Sequence, residues 1–183
     1  MCLMYTNSVR SIVLCGDSHL TPTNSRGTLK LGPRLAAAGW TVEQLAVGGL
    51  STRAARTRFE VLPAAEWTLL SFGANDAAPW KQVPLAEFED NLGVLIDRCQ
   101  SERVLVLAAT PVIERPGAVF ARSNAVVETY ASVAREVAKA HRAIVLEWLR
   151  PLALDGSHHA PDGVHLNDAS YEILAESVLA VIS

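Results

Sequence analysis

Four short blocks of this sequence carry residue types that could do chemistry together. Gly16-Asp17-Ser18-His19 follows an apolar run, and a serine there could present its hydroxyl to a substrate. The plain alternative is a turn, because Gly, Asp and Ser all favour turns. Asp162-Gly163-Val164-His165 lies near the other end. An Asp three residues before a His can set its carboxylate against imidazole Nδ1, which fixes the tautomer and leaves Nε2 as a general base. Gly73-Ala74-Asn75-Asp76 offers a side-chain amide that could aim an N–H at a developing oxyanion. Val47 to Thr52 contains Gly48 and Gly49, which let a backbone N–H approach a substrate closely, ahead of a helix N-terminus with its positive potential. Each block alone is weak.

The elements that must position these blocks alternate in period. Ile12–Cys15, Val42–Val47, Trp67–Phe72, Val104–Ala109 and Ile144–Trp148 read as strands. Several are apolar at successive positions, the pattern of strands buried on both faces of a parallel sheet. Between them the spacing is helical: Phe88, Leu92, Leu95, Cys99; then Val126, Tyr130, Val133, Val137; then Tyr171, Leu174, Val178, Ile182, with Asn167 placed as a cap. Leu31–Ala38 is a helix with Pro33 in its first turn, and Arg53–Leu62 is a weaker one stopped by Pro63. The order βαβαβαβαβα predicts an α/β fold, a single-domain three-layer α/β/α sandwich over residues 1–183 with a five-stranded, flavodoxin-like parallel sheet. Ligands of such sheets bind beyond the carboxyl ends of the strands. The loops that matter are therefore 16–28, 48–52, 73–84, 110–123 and 149–166, and all four blocks fall in them.

Taken together, GDS, a glycine after the second strand, GxND and a C-terminal DxxH resemble the SGNH, or GDSL-type, hydrolases, from Cys15 to His165. The resemblance implies a serine esterase with Ser18 as nucleophile and Asp162 and His165 completing the triad. It assigns the oxyanion hole to the Ser18 N–H, a block-two glycine and Asn75. Gly49 is preferred over Gly48 because Leu50 and Ser51 follow it as in the family. Two departures stand out: His19 replaces the usual Leu, and Gln44–Ala46 lacks the Asn that commonly opens block two. Acyl transfer or thioester hydrolysis would use the same groups, and a non-catalytic binding module on the same sheet is the rival from another class.

Composition excludes other classes. Half of the 183 residues are hydrophobic, enough to bury a sizeable core. Sixteen Lys and Arg against nineteen Asp and Glu give a net charge of −3, no field for a polyanion, so nucleic acid is not an expected partner. No apolar run approaches the roughly 20 residues of a membrane span. Met1–Arg10 lacks a signal-peptide pattern, and three cysteines (Cys2, Cys15, Cys99) suit a reducing, cytoplasmic setting rather than a disulfide framework. No GxSxG, GxxxxGK[ST] or GxGxxG motif opens an alternative site. His158, His159 and His165 with Asp155 and Asp162 could suggest a metal cluster, but no ligand pair has helical spacing and a serine triad needs none. Neither metal nor cofactor is expected.

Cys15 reads as a small buried hydrophobe, Trp67 and Trp148 as core, and His141 as a helix end. His19 reads as a solvated neighbour of the site. Pro79, Trp80, Val112, Ile113 and Phe120 are expected to wall a small cleft, with Glu114, Arg115 and Arg122 as a polar rim. The expected substrate is a small-molecule ester with a short acyl group on a polar alcohol or carbohydrate; oligomeric state stays open.

Overall fold

The computed structural model describes residues 10–24, 27–115, 117, 121–147 and 157–183. The chain runs β1 (Ser11–Gly16), α1 (Leu31–Ala37), β2 (Thr41–Gln44), α2 (Thr52–Arg58), β3 (Trp67–Ser71), α3 (Leu85–Asp97), β4 (Arg103–Leu107), α4 (Asn124–Ala140), β5 (Ile144–Leu146) and α5 (Asp168–Ile182). The strands pair in parallel in the order β2-β1-β3-β4-β5. The expected α/β class and five-stranded parallel sheet are thus observed.

Helices cover both faces, which is why β3 is buried throughout and β1 at all but its first residue. Alternate side chains enter different cores. Val13, Cys15, Leu70 and Val106 meet Phe88, Leu92 and Tyr130 on one face. Ile12, Leu14, Leu69, Leu105 and Leu107 meet Leu31, Leu35, Tyr171 and Leu174 on the other. Each such Leu or Ile contributes about 2 kcal/mol of transfer free energy when fully buried. Burial also pushes the Cys15 thiol up to about 12, so it packs and does not react.

Three details differ from expectation. α2 ends at Arg58, not Leu62: Phe59 turns extended, and Leu62, biased away from helix by Pro63, forms a bridge with Cys99. The buried stripe of α4 is Val127, Tyr130, Ala131, Ala134, Val137 and Ala138; Val126 and Val133 flank it at the edge of the core. Its alanines leave the larger residues of neighbouring elements to fill the interface. β2 ends at Gln44, yet its pairing continues irregularly as Leu45 N–H and Val47 N–H donate to Leu14 and Gly16 carbonyls. Trp148, the expected end of the fifth strand, lies outside the described residues.

The strand order reverses direction between β1 and β3, so the loops after these two strands diverge and leave a crevice between them. Gly16 closes that junction. A Cβ there would lie 2.5 Å from the Ser71 carbonyl oxygen, so no side chain fits where the two strands release their loops.

Candidate active site

Ser18 leaves β1 at the mouth of this crevice, and the turn carrying residues 162–165 comes over it from just before α5. The Ser18 hydroxyl lies 2.8 Å from His165 Nε2, and His165 Nδ1 lies 2.7 Å from Asp162 Oδ2. The other oxygen of Asp162 accepts the backbone N–H groups of Val164 and His165, each at 2.9 Å. Partial burial pushes this carboxyl up, but the ring N–H and the two backbone N–H groups outweigh it and hold it at about 2. An ionised carboxylate only accepts, so Nδ1 carries a proton, and in that tautomer Nε2 is placed to accept the serine O–H. The arrangement can take a proton from Ser18 as that oxygen attacks.

Facing Ser18 across the crevice are Gly49 and Asn75. Gly49 has φ +75°, which turns this loop back toward Ser18 at little cost only because the residue is glycine. Gly49 lines a cleft with Ser18 and Asn75, whereas the more exposed Gly48 does not. Among the described residues, the N–H groups of Ser18 and Gly49 have no acceptor. Asn75 Nδ2 donates to Asp17 Oδ2 and to the Leu50 carbonyl, both at 3.2 Å. These are long bonds, and a developing oxyanion could compete for one of them.

Two clefts meet at Ser18 and His165. The smaller, about 300 Å³, is lined by Gly49, Asn75, Trp80, Lys81 and Arg122 on one side and by His19 and Val164 on the other. The larger, about 610 Å³, is lined by Thr21, Thr23, Asn24, Lys30, Ala160, Pro161 and Asp162.

Several buried polar groups hold this site, and sequence reading singled out none of them for that task. Asp17, 1% exposed, accepts His19 N–H at 2.9 Å as well as the Asn75 amide. Lys30, 3% exposed, donates to the Ser18 carbonyl and to Thr21 Oγ1, and loss of solvent pushes its ammonium down. Asp76 accepts Thr52 N–H, Thr52 O–H and Gly73 N–H, tying the loop after β3 to the start of α2; burial pushes its carboxyl up despite those bonds. His19 is buried, not solvated: its Nε2–H donates to the Val164 carbonyl at 3.2 Å and its ring stands edge-on to that of His165. Burial pushes its pKa down, which keeps it neutral beside the His165 ring. Spacing could not find the contacts of Asn75 with Asp17, Thr52 with Asp76 or His19 with Val164, because each joins loops far apart in the chain.

The expected cleft walls divide. Trp80 lines the smaller cleft, 48% exposed, with the Arg122 guanidinium 5.0 Å from its ring. Val112 and Ile113 line neither cleft. Val112 is buried, its N–H donating to Asn124 Oδ1, and Ile113 N–H donates to the Gly163 carbonyl, so this segment supports the 162–165 turn from behind. Arg122 is not on the rim but 8% exposed in the wall. Phe120 and Asp155 lie outside the described residues. Of the other histidines, His159 donates to the Pro111 carbonyl and His158 contacts Ser170. Among the described residues, no three His, Cys, Asp or Glu side chains are grouped to hold a metal ion, and no helix is long and apolar enough to cross a membrane.

Fold and sequence together define the class: a hydrolase of the SGNH type. Within it, the chain belongs to the GDSL-like lipase/acylhydrolase family, whose pattern it matches over residues 14–173. Its structure is similar to that of a lipase/acylhydrolase from Enterococcus faecalis, with 25% identity, a TM-score of 0.77, and 94% of this chain and 95% of that one covered. It also resembles the acetylxylan esterase Axe2 from Geobacillus stearothermophilus, at 20% identity and a TM-score of 0.70, covering 95% and 94% of the two chains. An α/β hydrolase from the metagenome of Lake Arreo, Spain, shares the fold at 18% identity and a TM-score of 0.72, with 94% of each chain covered. No curated protein matches the sequence.

Proposed function

We propose that this protein is a serine esterase that hydrolyses short-acyl esters of small polar alcohols or carbohydrates through an acyl-enzyme on Ser18. His165 Nε2 takes the Ser18 proton as Oγ attacks the ester carbonyl. Asp162 holds the ring in the required tautomer and stabilises the imidazolium that forms. The carbonyl oxygen, now negative, is bound by the N–H groups of Ser18 and Gly49 and by the Asn75 amide. The imidazolium returns its proton to the alcohol oxygen as the C–O bond breaks, and water repeats the sequence on the acyl-enzyme. The observation that carries this reading is the 2.8 Å and 2.7 Å relay from Ser18 through His165 to Asp162, at the one point where both clefts meet.

The clefts support the two halves of the substrate. The oxyanion donors line the smaller cleft, so the acyl group lies there against Trp80. The leaving oxygen must lie within reach of His165, on the side walled by Asp162, so the alcohol extends into the larger cleft, past Thr21, Thr23 and Asn24. An acetyl or similar group fits the first, and a sugar-sized alcohol the second. The likeness to Axe2, an acetylxylan esterase by name, agrees with this division.

The test is labelling with a fluorophosphonate combined with turnover of nitrophenyl acetate. Both should occur in the protein and vanish in Ser18→Ala. Labelling that persists in Ser18→Ala, or turnover at the wild-type rate, would overturn the proposal.

A further inference from the structure

An asparagine amide has a donor end and an acceptor end of nearly the same shape, and only the donor end can serve an oxyanion. The polarity of Asn75 therefore has to be set by its surroundings. Its nitrogen faces the Asp17 carboxylate and the Leu50 carbonyl, groups that accept. Its oxygen faces Arg122 Nη2 at 3.3 Å, a group that can only donate. A turned amide would set acceptor against acceptor at two contacts and donor against donor at the third.

We propose that Arg122 is a positioning residue that fixes the Asn75 amide for oxyanion binding; this rests on the role of Asn75 proposed above. Arg122 comes from the loop between β4 and α4, far in sequence from residues 73–76. Its Nε donates to the Ala74 carbonyl at 2.6 Å while Nη2 reaches the side chain of the next residue, so one planar fork grips both backbone and side chain. Trp80 covers the guanidinium, and the carboxylates of Asp17 and Asp162 oppose the loss of solvent that pushes its pKa down. Asn75 can release one of its two 3.2 Å donor bonds to the oxyanion while Arg122 keeps hold of Oδ1. The grip is independent of pH because a guanidinium keeps its proton. A lysine would reach with a point charge and could replace only one of the two bonds.

The prediction is a loss in kcat that passes through Asn75. Arg122→Met should lower kcat for nitrophenyl acetate roughly ten- to a hundred-fold, with KM within about two-fold. Arg122→Lys should recover part of the loss, and so should added guanidinium ion with Arg122→Met. In an Asn75→Ala background, Arg122→Met should add little, since the group it positions is gone. Equal factors in both backgrounds would show that Arg122 acts independently of Asn75 and overturn the proposal. If Asn75→Ala itself turns over like the wild type, the oxyanion role of Asn75 falls, and with it this proposal. Unfolding of Arg122→Met, seen by thermal melting, shifts the same cycle to Arg122→Lys, with the same two deciding outcomes.

Discussion

The two clefts at Ser18 are built from different kinds of wall. The smaller is made of groups already committed to one another: Asn75 to Asp17 and Arg122, Arg122 to Ala74 and Trp80, Lys81 to the Gly49 carbonyl. The larger has hydroxyls and an amide on one side and Ala160 and Pro161 on the other, with Lys30 turned inward to the Ser18 carbonyl. A site that must stabilise charge as it develops needs groups that do not reorganise. A site that only holds a leaving group can be open and adaptable. Rate should therefore depend on the side of Ser18 with denser polar bonding, and substrate choice on the looser side.

The largest effect concerns the point the clefts share. Ser18→Ala should reduce ester turnover to background while its melting temperature stays near the wild type, and His165→Ala should be nearly as damaging. Next is the tight side. Asn75→Ala should lower kcat roughly a hundred- to a thousand-fold with KM little changed, the usual cost of one oxyanion donor. Normal kcat with raised KM would place Asn75 in ground-state binding and erase the contrast.

Smaller effects sharpen it. Each methylene that finds no wall in the 300 Å³ cleft forgoes up to about 0.8 kcal/mol. kcat/KM should therefore fall or plateau from nitrophenyl acetate through butyrate to octanoate, and a steady rise through octanoate would reveal an acyl channel. Thr23→Trp should narrow the larger cleft and raise KM for an acetylated sugar more than for ethyl acetate. Equal changes in both would mean that the alcohol lies elsewhere.

The smallest effect is on stability. Asp162 is held at about 2, below the ordinary carboxylate value of about 4, so the folded state binds its proton more weakly than the unfolded chain does. The stabilisation is present above pH of about 4 and is lost as pH falls toward about 2. Melting of wild type and Asp162→Asn should accordingly differ most above that window and converge below it. The side chain is 39% exposed, so the difference should be modest.

Residues on the open ends of the strands were legible in the sequence because their types are out of place in a buried sheet. Ser18 and Asn75 interrupt apolar or glycine-rich runs just past the ends of β1 and β3, and the Asp162–His165 pair stood out by its three-residue spacing. Arg122 and Lys30 were not legible. Each is a single basic residue in a loop or before a helix, where solvated charges are the rule, and only the fold brings them within bonding reach of residues 74–75 and 18. His19 was misread for the same reason, since its burial depends on the Val164 turn closing over it. The end of α2 differs in kind: the helical spacing continues past Arg58, but Phe59 turns extended and Leu62 buries fully where it bridges Cys99.

Ser18 and His165 are separated by 147 positions, and α5, which follows His165 at once, packs against α1. During synthesis Ser18 emerges long before its hydrogen-bond partner His165. On the proposed mechanism, a ribosome-bound chain carrying every residue up to 160 would hold most of the sheet yet lack its general base, and so could neither hydrolyse an ester nor trap itself as an acyl adduct. On that mechanism activity would arrive only once residues 162–165 close over Ser18, and a covalent serine label applied to nascent chains of increasing length would date the closing of the fold.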